Sequence, residues 1–259
     1  MPINRHYREP TWERQSESKF ACLTYHKIGA GADQYTVSEK QIRDKLSLFK
    51  AEAYVVEGFE QLEVRLRSDQ ELPARYAILT LDDGHESAMR AADMLEEHGC
   101  KATFFLTRDR SRERPGFIRD AQIRELRRRA FSLGTHGTTH RKLTFLPEKE
   151  CVKELRESKE WLEFVLGEEV GYMAAPGGFI NSRIAELSFQ LGYVLLGTCD
   201  EWLNSPKTLT LPGMVSRVNV RQHFSPSNFR RIIEGSPTFY LWRRVRAAAL
   251  WIPKQLLPA

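Results

Sequence analysis

The sequence predicts an α/β barrel, closed or nearly closed, of about seven strands. Three observations carry this. Short apolar runs alternate with helical periodicity from Phe20 to Val220, with brief connections, as in parallel βα units. Six or seven such units are too many for a small open sheet, and 259 residues suit one barrel but not two large domains. Polar residues also collect where the apolar runs end, the place where barrels of this kind keep their chemistry. Three regions follow: a polar extension over 1–18, the barrel over 19–235 and a basic, apolar C-terminal segment over 236–259.

Phe20–Tyr25 reads as the first strand. Ser38 with Gln41 forms a capping box that opens a helix toward Phe49. Tyr76–Leu81 is a buried strand by length and composition. Glu86–His98 is a helix with Met89, Ala92, Met94 and Leu95 on its apolar side, stopped by Gly99. Ala102–Leu106 is the next strand. Asp120 caps a helix that carries Ile123 and Leu126, and Phe131–Thr135 is a strand. Pro147 starts a long helix through Val152, Leu155, Leu162 and Val165 to Gly167. Val170–Ala175 is a strand, Ser182 caps a helix ending at Gly192, Tyr193–Thr198 is a strand, and Val215–Val220 closes the series.

With 41% hydrophobic and 28% charged residues, the composition is globular and excludes a disordered or collagen-like chain. The longest apolar run, Ala247–Ile252, is too short to span a bilayer. The first twenty residues lack the apolar core of a secretory signal, so a cytoplasmic location is expected. Four scattered cysteines without a CxxC pair fit a reduced compartment. Charge is uneven: residues 205–259 hold nine Lys/Arg against Glu234 alone. Such a tail suits an anionic partner, and Phe239–Ile252 with Arg243, Arg244 and Arg246 is expected at the inner face of an anionic membrane. The alternative is a helix that closes the barrel while its arginines reach out to water. Arg108–Arg129 is a second basic cluster, but no nucleic-acid motif accompanies either, so nucleic acid is not an expected partner.

The strand-end polar residues form a usable set. Asp82 and Asp83 follow directly on Tyr76–Leu81, and two carboxylates there are costly to bury without a cation. His136 follows Phe131–Thr135, with His140 four residues on. One carboxylate and two histidines make a facial metal site with open positions, and a neighbouring carboxylate can take a proton from activated water.

At these residues the chain resembles the polysaccharide deacetylase family, the NodB-homology or carbohydrate esterase family 4 group. The motifs are Thr80-Leu81-Asp82-Asp83-Gly84, His136-Gly137-Thr138-Thr139-His140 and Ala174-Ala175-Pro176-Gly177-Gly178. Tyr25-His26, Tyr35-Thr36-Val37-Ser38 and Ala102-Thr103-Phe104-Phe105 resemble the branch that acts on exopolysaccharide. The resemblance spans roughly residues 20 to 222 and implies a distorted, TIM-like (β/α) barrel of the NodB type. It also implies a hydrolase of linear amides, a carbohydrate N-deacetylase. Asp83, His136 and His140 would bind one divalent metal, zinc by default, with Co, Ni or Fe also suited. Asp82 would be the general base, and the Gly177 backbone N–H would hold the oxyanion.

There are departures. Members carry an Arg where this chain has Ala174, and Arg217 is the candidate replacement, set against an ordinary surface arginine. The general-acid histidine expected late in the chain has only His223 to fill it, with poorly matching flanks. Pro176, Gly178, His26, Trp202 and Arg217 are the candidate substrate contacts, His26 and Trp202 by their positions at strand ends.

The expected function is removal of N-acetyl groups from an amino-sugar oligo- or polysaccharide, or from its lipid-linked precursor, in exopolysaccharide or envelope synthesis. One rival is a deformylase or deacetylase of a lipid-phosphate-linked amino sugar. Another is a carbohydrate-binding barrel without turnover, motivated by Ala174 and the unclear acid.

Overall fold

A computed structural model describes residues 19–250, with side chains through Arg243. The extension expected over 1–18 and the last residues of the basic tail lie outside the described residues.

β1 (Ala21–Tyr25) leads into a small lip where β2 (Lys27–Ile28) pairs with β3 (Thr36–Val37). α1 (Glu39–Ala51) opens on the expected capping box: Gln41 N donates to Ser38 Oγ at 3.2 Å, and Ser38 N to Gln41 Oε1 at 3.0 Å. β4 (Val55–Glu57) and α2 (Phe59–Arg67) follow, two elements absent from the sequence reading. Then come β5 (Tyr76–Leu81), α3 (Ser87–Glu97), β6 (Thr103–Leu106), α4 (Arg108–Glu113), α5 (Asp120–Arg128) and β7 (Ser132–Thr135). α6 (Glu148–Leu166), β8 (Tyr172–Ala174), α7 (Ser182–Gln190), β9 (Leu195–Thr198), β10 (Gly213–Ser216), β11 (Val218–Asn219), α8 (Pro226–Ile233) and α9 (Pro237–Leu250) complete the chain.

Two caps differ from expectation. Asp120 is the first helical residue of α5, and the cap is Arg119, whose N–H donates to Gln122 Oε1 at 2.9 Å. At α7 the cap is Asn181, not Ser182, and its Oδ1 accepts from Ile184 N at 2.9 Å. An Asn side chain reaches a free first-turn N–H better than the residue already inside the turn.

The main sheet is parallel and has nine strands, in the order β10-β9-β8-β7-β6-β5-β1-β11, with β4 beside the first half of β5. The expected last strand, Val215–Val220, is two strands broken at Arg217. β10 pairs with β9, while β11 pairs with β1. A single passage of chain thus touches both ends of the strand order and nearly closes the barrel. This split and β4 explain nine strands where about seven are expected.

Strand alternation divides the core. Cys22, Tyr76, Ile78, Phe105, Ala174, Leu195 and Val215 share one cluster. Their neighbours Ala21, Leu23, Ala77, Leu79, Phe104 and Leu133 pack in a second with α1, α3 and α5. Thr24 and Thr80 fall in phase with the first set and share a hydrogen bond of 2.9 Å. Continuing that phase, Asp82 and Arg217 point the same way.

α9 closes the barrel. Phe239 and Tyr240 lie in the core, and Tyr240 Oη donates to Ile232 O at 3.1 Å. Arg243 does not reach out to water. It is buried, its guanidinium lies over the rings of Phe224 and Phe239, and it pairs with Glu201. Leu241 and Trp242 stay exposed. Among the described residues no helix is long and apolar enough to cross a membrane.

Candidate metal centre and active site

Asp82 continues the inward phase of β5, and its N–H donates to Tyr25 O at 2.9 Å. The chain then turns sharply: Asp83 takes φ +77° and Gly84 φ +75°. Asp83 and His140 (φ +67°) both occupy the left-handed region that costs a side-chain-bearing residue energy, as happens where surrounding structure over-determines a site. His136 leaves β7 with its N–H on Leu106 O at 2.7 Å.

The loop between the two histidines is held from below by Glu154 of α6. This buried carboxylate accepts from the N–H groups of Thr138 (2.8 Å) and Thr139 (2.9 Å) and from the Thr139 hydroxyl, while Thr138 Oγ1 donates to Glu154 O at 3.0 Å. Four bonds to one residue fix the spacing of His136 and His140.

The ligand atoms of Asp83, His136 and His140 lie within 4.8 Å of one another. His140 Nε2 is 3.0 Å and His136 Nε2 is 3.6 Å from Asp83 Oδ1. His136 Nδ1 sits 2.8 Å from Ala174 O, a bond that places the proton on Nδ1 and leaves the Nε2 lone pair facing Asp83. Burial pushes the His136 ring down to about 4 against the pull of Asp82 and Asp83, so it is neutral at pH 7. Burial raises the Asp83 carboxyl, but the His140 hydrogen bond and the nearby His136 and Arg110 carry it well below the usual range. Asp83 Oδ1 is buried, with Arg110 NH1 2.5 Å away. A buried carboxylate oxygen facing two imidazole nitrogens fits a divalent metal ion.

Asp82 stands beside this triad, its Oδ2 3.9 Å from His136 Nε2. Arg217 grips it two-pronged, with NH1 to Oδ1 at 2.7 Å and NH2 to Oδ2 at 2.9 Å. The same guanidinium donates to Thr80 Oγ1 (3.1 Å) and Thr198 O (3.1 Å) and lies 5.3 Å from the Phe105 ring centre. Burial raises the Asp82 carboxyl, but Arg217, then His136 and His26, hold it below its ordinary value. Gly197 makes this possible. A Cβ there would stand 2.7 Å from Arg217 Nε, and Gly197 pairs in register with Ala174, the other small residue at this level.

Arg217 is therefore neither a surface residue nor a substrate contact. It is wholly buried behind Asp82 and positions that carboxylate. His223 is exposed on the turn after β11, its ring against Phe224. Pro176 and Gly178 are buried in the wall. A Cβ on Gly178 would lie 2.2 Å from that of Cys199. Gly177 between them is exposed, with φ +76°. His26 is half-buried against Tyr35, and its Nδ1 has no hydrogen-bond partner. Trp202 meets Tyr240 of α9 edge-on at 5.9 Å.

Sequence reasoning missed Glu154 and Arg110. For Glu154 a signal existed: it falls on the buried stripe of α6 with Cys151, Leu155, Ser158 and Leu162, where an acid needs partners.

The family model described as Polysaccharide deacetylase matches residues 69–196. The Streptococcus pyogenes deacetylase PplD, solved with acetate, superposes with a TM-score of 0.75 at 21% identity, covering 83% of this chain and 98% of that one. The de-N-acetylase from Aggregatibacter actinomycetemcomitans gives 0.74 at 16% identity, over 83% and 99% of the two chains. IcaB from Ammonifex degensii gives 0.72 at 20%, over 87% and 97%. At these identities the likeness shows the fold, a nearly closed, distorted barrel of the NodB type. No curated protein sequence matches the chain.

Proposed function

We propose that this chain, with its polysaccharide deacetylase segment at residues 69–196, is a metal-dependent hydrolase that removes N-acetyl groups from amino-sugar units of an oligo- or polysaccharide. The observation that carries the reading is a buried, ionised carboxylate, Asp82, locked by Arg217 and standing 3.9 Å from a ligand of the Asp83–His136–His140 triad. A binding module has no use for a carboxylate poised in this way.

A divalent ion in the triad supplies Lewis acidity toward the acetamide carbonyl and toward water. Zinc suits the donor set, and Co, Ni or Fe are bound by the same atoms. The protein's own groups do the rest. Asp82 accepts the proton released from the attacking water. Arg217 holds both carboxylate oxygens, so the acceptor needs no reorganisation. The exposed Gly177 N–H donates to the oxygen that gains charge. Asp82 also returns the proton to the departing amine.

Metal-reconstituted protein is expected to release acetate from N-acetylglucosamine oligomers. Asp82→Asn should lower kcat by about 10²–10⁴-fold, with circular dichroism verifying that the variant is folded. No release from metal-loaded wild type would overturn this reading and turn attention to formamido sugars on a lipid phosphate.

A further inference from the structure

Two residues past His140, the loop places Lys142 across the face of Gly177. A Cβ on Gly177 would meet the lysine stem at 3.3–3.7 Å. The Lys142 ammonium lies 5.9 Å from the ring centre of Phe145 and 6.0 Å from that of Phe179. Both rings are exposed, Phe145 by 79% and Phe179 by 58%. Exposed aromatic rings that share a cation at the mouth of a catalytic cluster are a surface left uncovered for a ligand. The neighbouring Arg141 spends its charge on Glu150 at 2.7 Å. Lys142 pairs with no carboxylate among the described residues, so its charge is open to a ligand.

We propose that Lys142, Phe145 and Phe179 form a subsite for an acidic sugar unit next to the one that carries the scissile acetamide. The proposal rests on the hydrolase reading above and narrows its substrate to an anionic glycan. The two rings offer flat apolar faces to the C–H side of a pyranose. The ammonium between them meets an anionic substituent on that ring, a uronate carboxylate or a sugar phosphate. The lysine stem also covers Gly177, so a ligand engaging Lys142 lies beside the proposed oxyanion donor. Lys142 thus selects the substrate, whereas the metal triad and Asp82 act on it.

The test is calorimetric binding of three tetrasaccharides to the metal-loaded protein: neutral N-acetylglucosamine oligomer, alternating glucuronate and N-acetylglucosamine, and a phosphate-substituted N-acetylglucosamine oligomer. Acetate release is followed in parallel. Wild type should bind at least one anionic oligomer about tenfold more tightly than the neutral one, with the preference shrinking as salt rises. Lys142→Gln, at an exposed position, should abolish the preference and leave neutral binding within about twofold. Phe145→Ala and Phe179→Ala should weaken all three oligomers. The uronate and phosphate arms identify the anionic source. Equal affinity for charged and neutral oligomers, no measurable binding, or a preference that survives Lys142→Gln would overturn the subsite. Preference without acetate release would leave the subsite standing and sink the hydrolase, whereas release without preference would do the reverse.

Discussion

Removing either member of the Asp82–Arg217 pair strands the other in a poorly solvated place, with Arg217 wholly buried and Asp82 nearly so. Arg217→Met should cost about 3–5 kcal/mol of stability in chemical denaturation, the usual cost of a broken buried pair. The double change Asp82→Leu/Arg217→Met should recover most of that loss, because no charge is then left alone. The pH dependence has a definite sign. Asp82 is held below its ordinary value in the folded chain, so its contribution is complete above the unfolded value of about 3.9 and is lost as pH falls through the lower folded one. Arg217→Met should flatten that acid limb. Lys45 gives a slope of the same sign in a higher window, but there the shift is a cost that rising pH relieves. Burial among Phe229 and its neighbours pushes its ammonium down to about 8. The unfolded chain then binds more protons between about 8 and 10.4, so stability rises with pH across that window. Lys45→Met should remove the rise and add about 1–3 kcal/mol at pH 7, read from denaturation midpoints. Glu154→Gln keeps the shape but weakens the grip on Thr138 and Thr139. A drop in metal affinity of about 10–100-fold in a chelator competition is expected.

Within the sheet, Gly197 on β9 is the position where a methyl group has the largest reach. Gly197→Ala puts a carbon 2.7 Å from Arg217 Nε, in a space bounded by Thr80, Thr198 and Phe105. Arg217 must shift, Asp82 loses its two-pronged partner, and both melting temperature and kcat should fall, as overpacking of about 1–3 kcal/mol implies. Most elements were legible in the sequence. Tyr76–Leu81 stands at its predicted bounds, and α1 and α6 start at the predicted signals, because apolar period and capping chemistry are local. The ends of strands were less legible: β8 keeps three residues of the six in Val170–Ala175, since pairing with a neighbour decides where a strand stops. The break at Arg217 was not legible. Val215–Val220 reads as one Val-rich run, and the meeting of two sheet edges divides it. The candidate site follows the same rule. Asp82, Asp83, His136 and His140 stand out as polar residues at strand ends, whereas the partner of Asp82 lies 135 residues away and came into view only through the departure at Ala174, not through a local pattern.

At the scale of the whole molecule, α9 is both a closing element and a surface. Its first turns bury Phe239 and Tyr240 and anchor Arg243 on Glu201, while Leu241 and Trp242 stand exposed on the same turns. If this face rests on an anionic membrane, Leu241→Glu/Trp242→Glu should abolish co-sedimentation with acidic vesicles at unchanged melting temperature. Deleting the helix would be a poor test, because it opens the core. Equal sedimentation of variant and wild type would remove the membrane contact. The passage from Gly213 to Asn219 has a consequence of another kind. It comes late in the chain, yet it supplies both the seam between β9 and β1 and the counter-ion for Asp82. During synthesis, the growing polypeptide exposes a barrel with two raw edges and a base that has no partner. The step that seals the container is also the step that arms it. Under the proposed function, a chain interrupted before this seam holds Asp83, His136 and His140 and is still inert, and a hydrolase that cannot work until its fold is finished does no chemistry while half made.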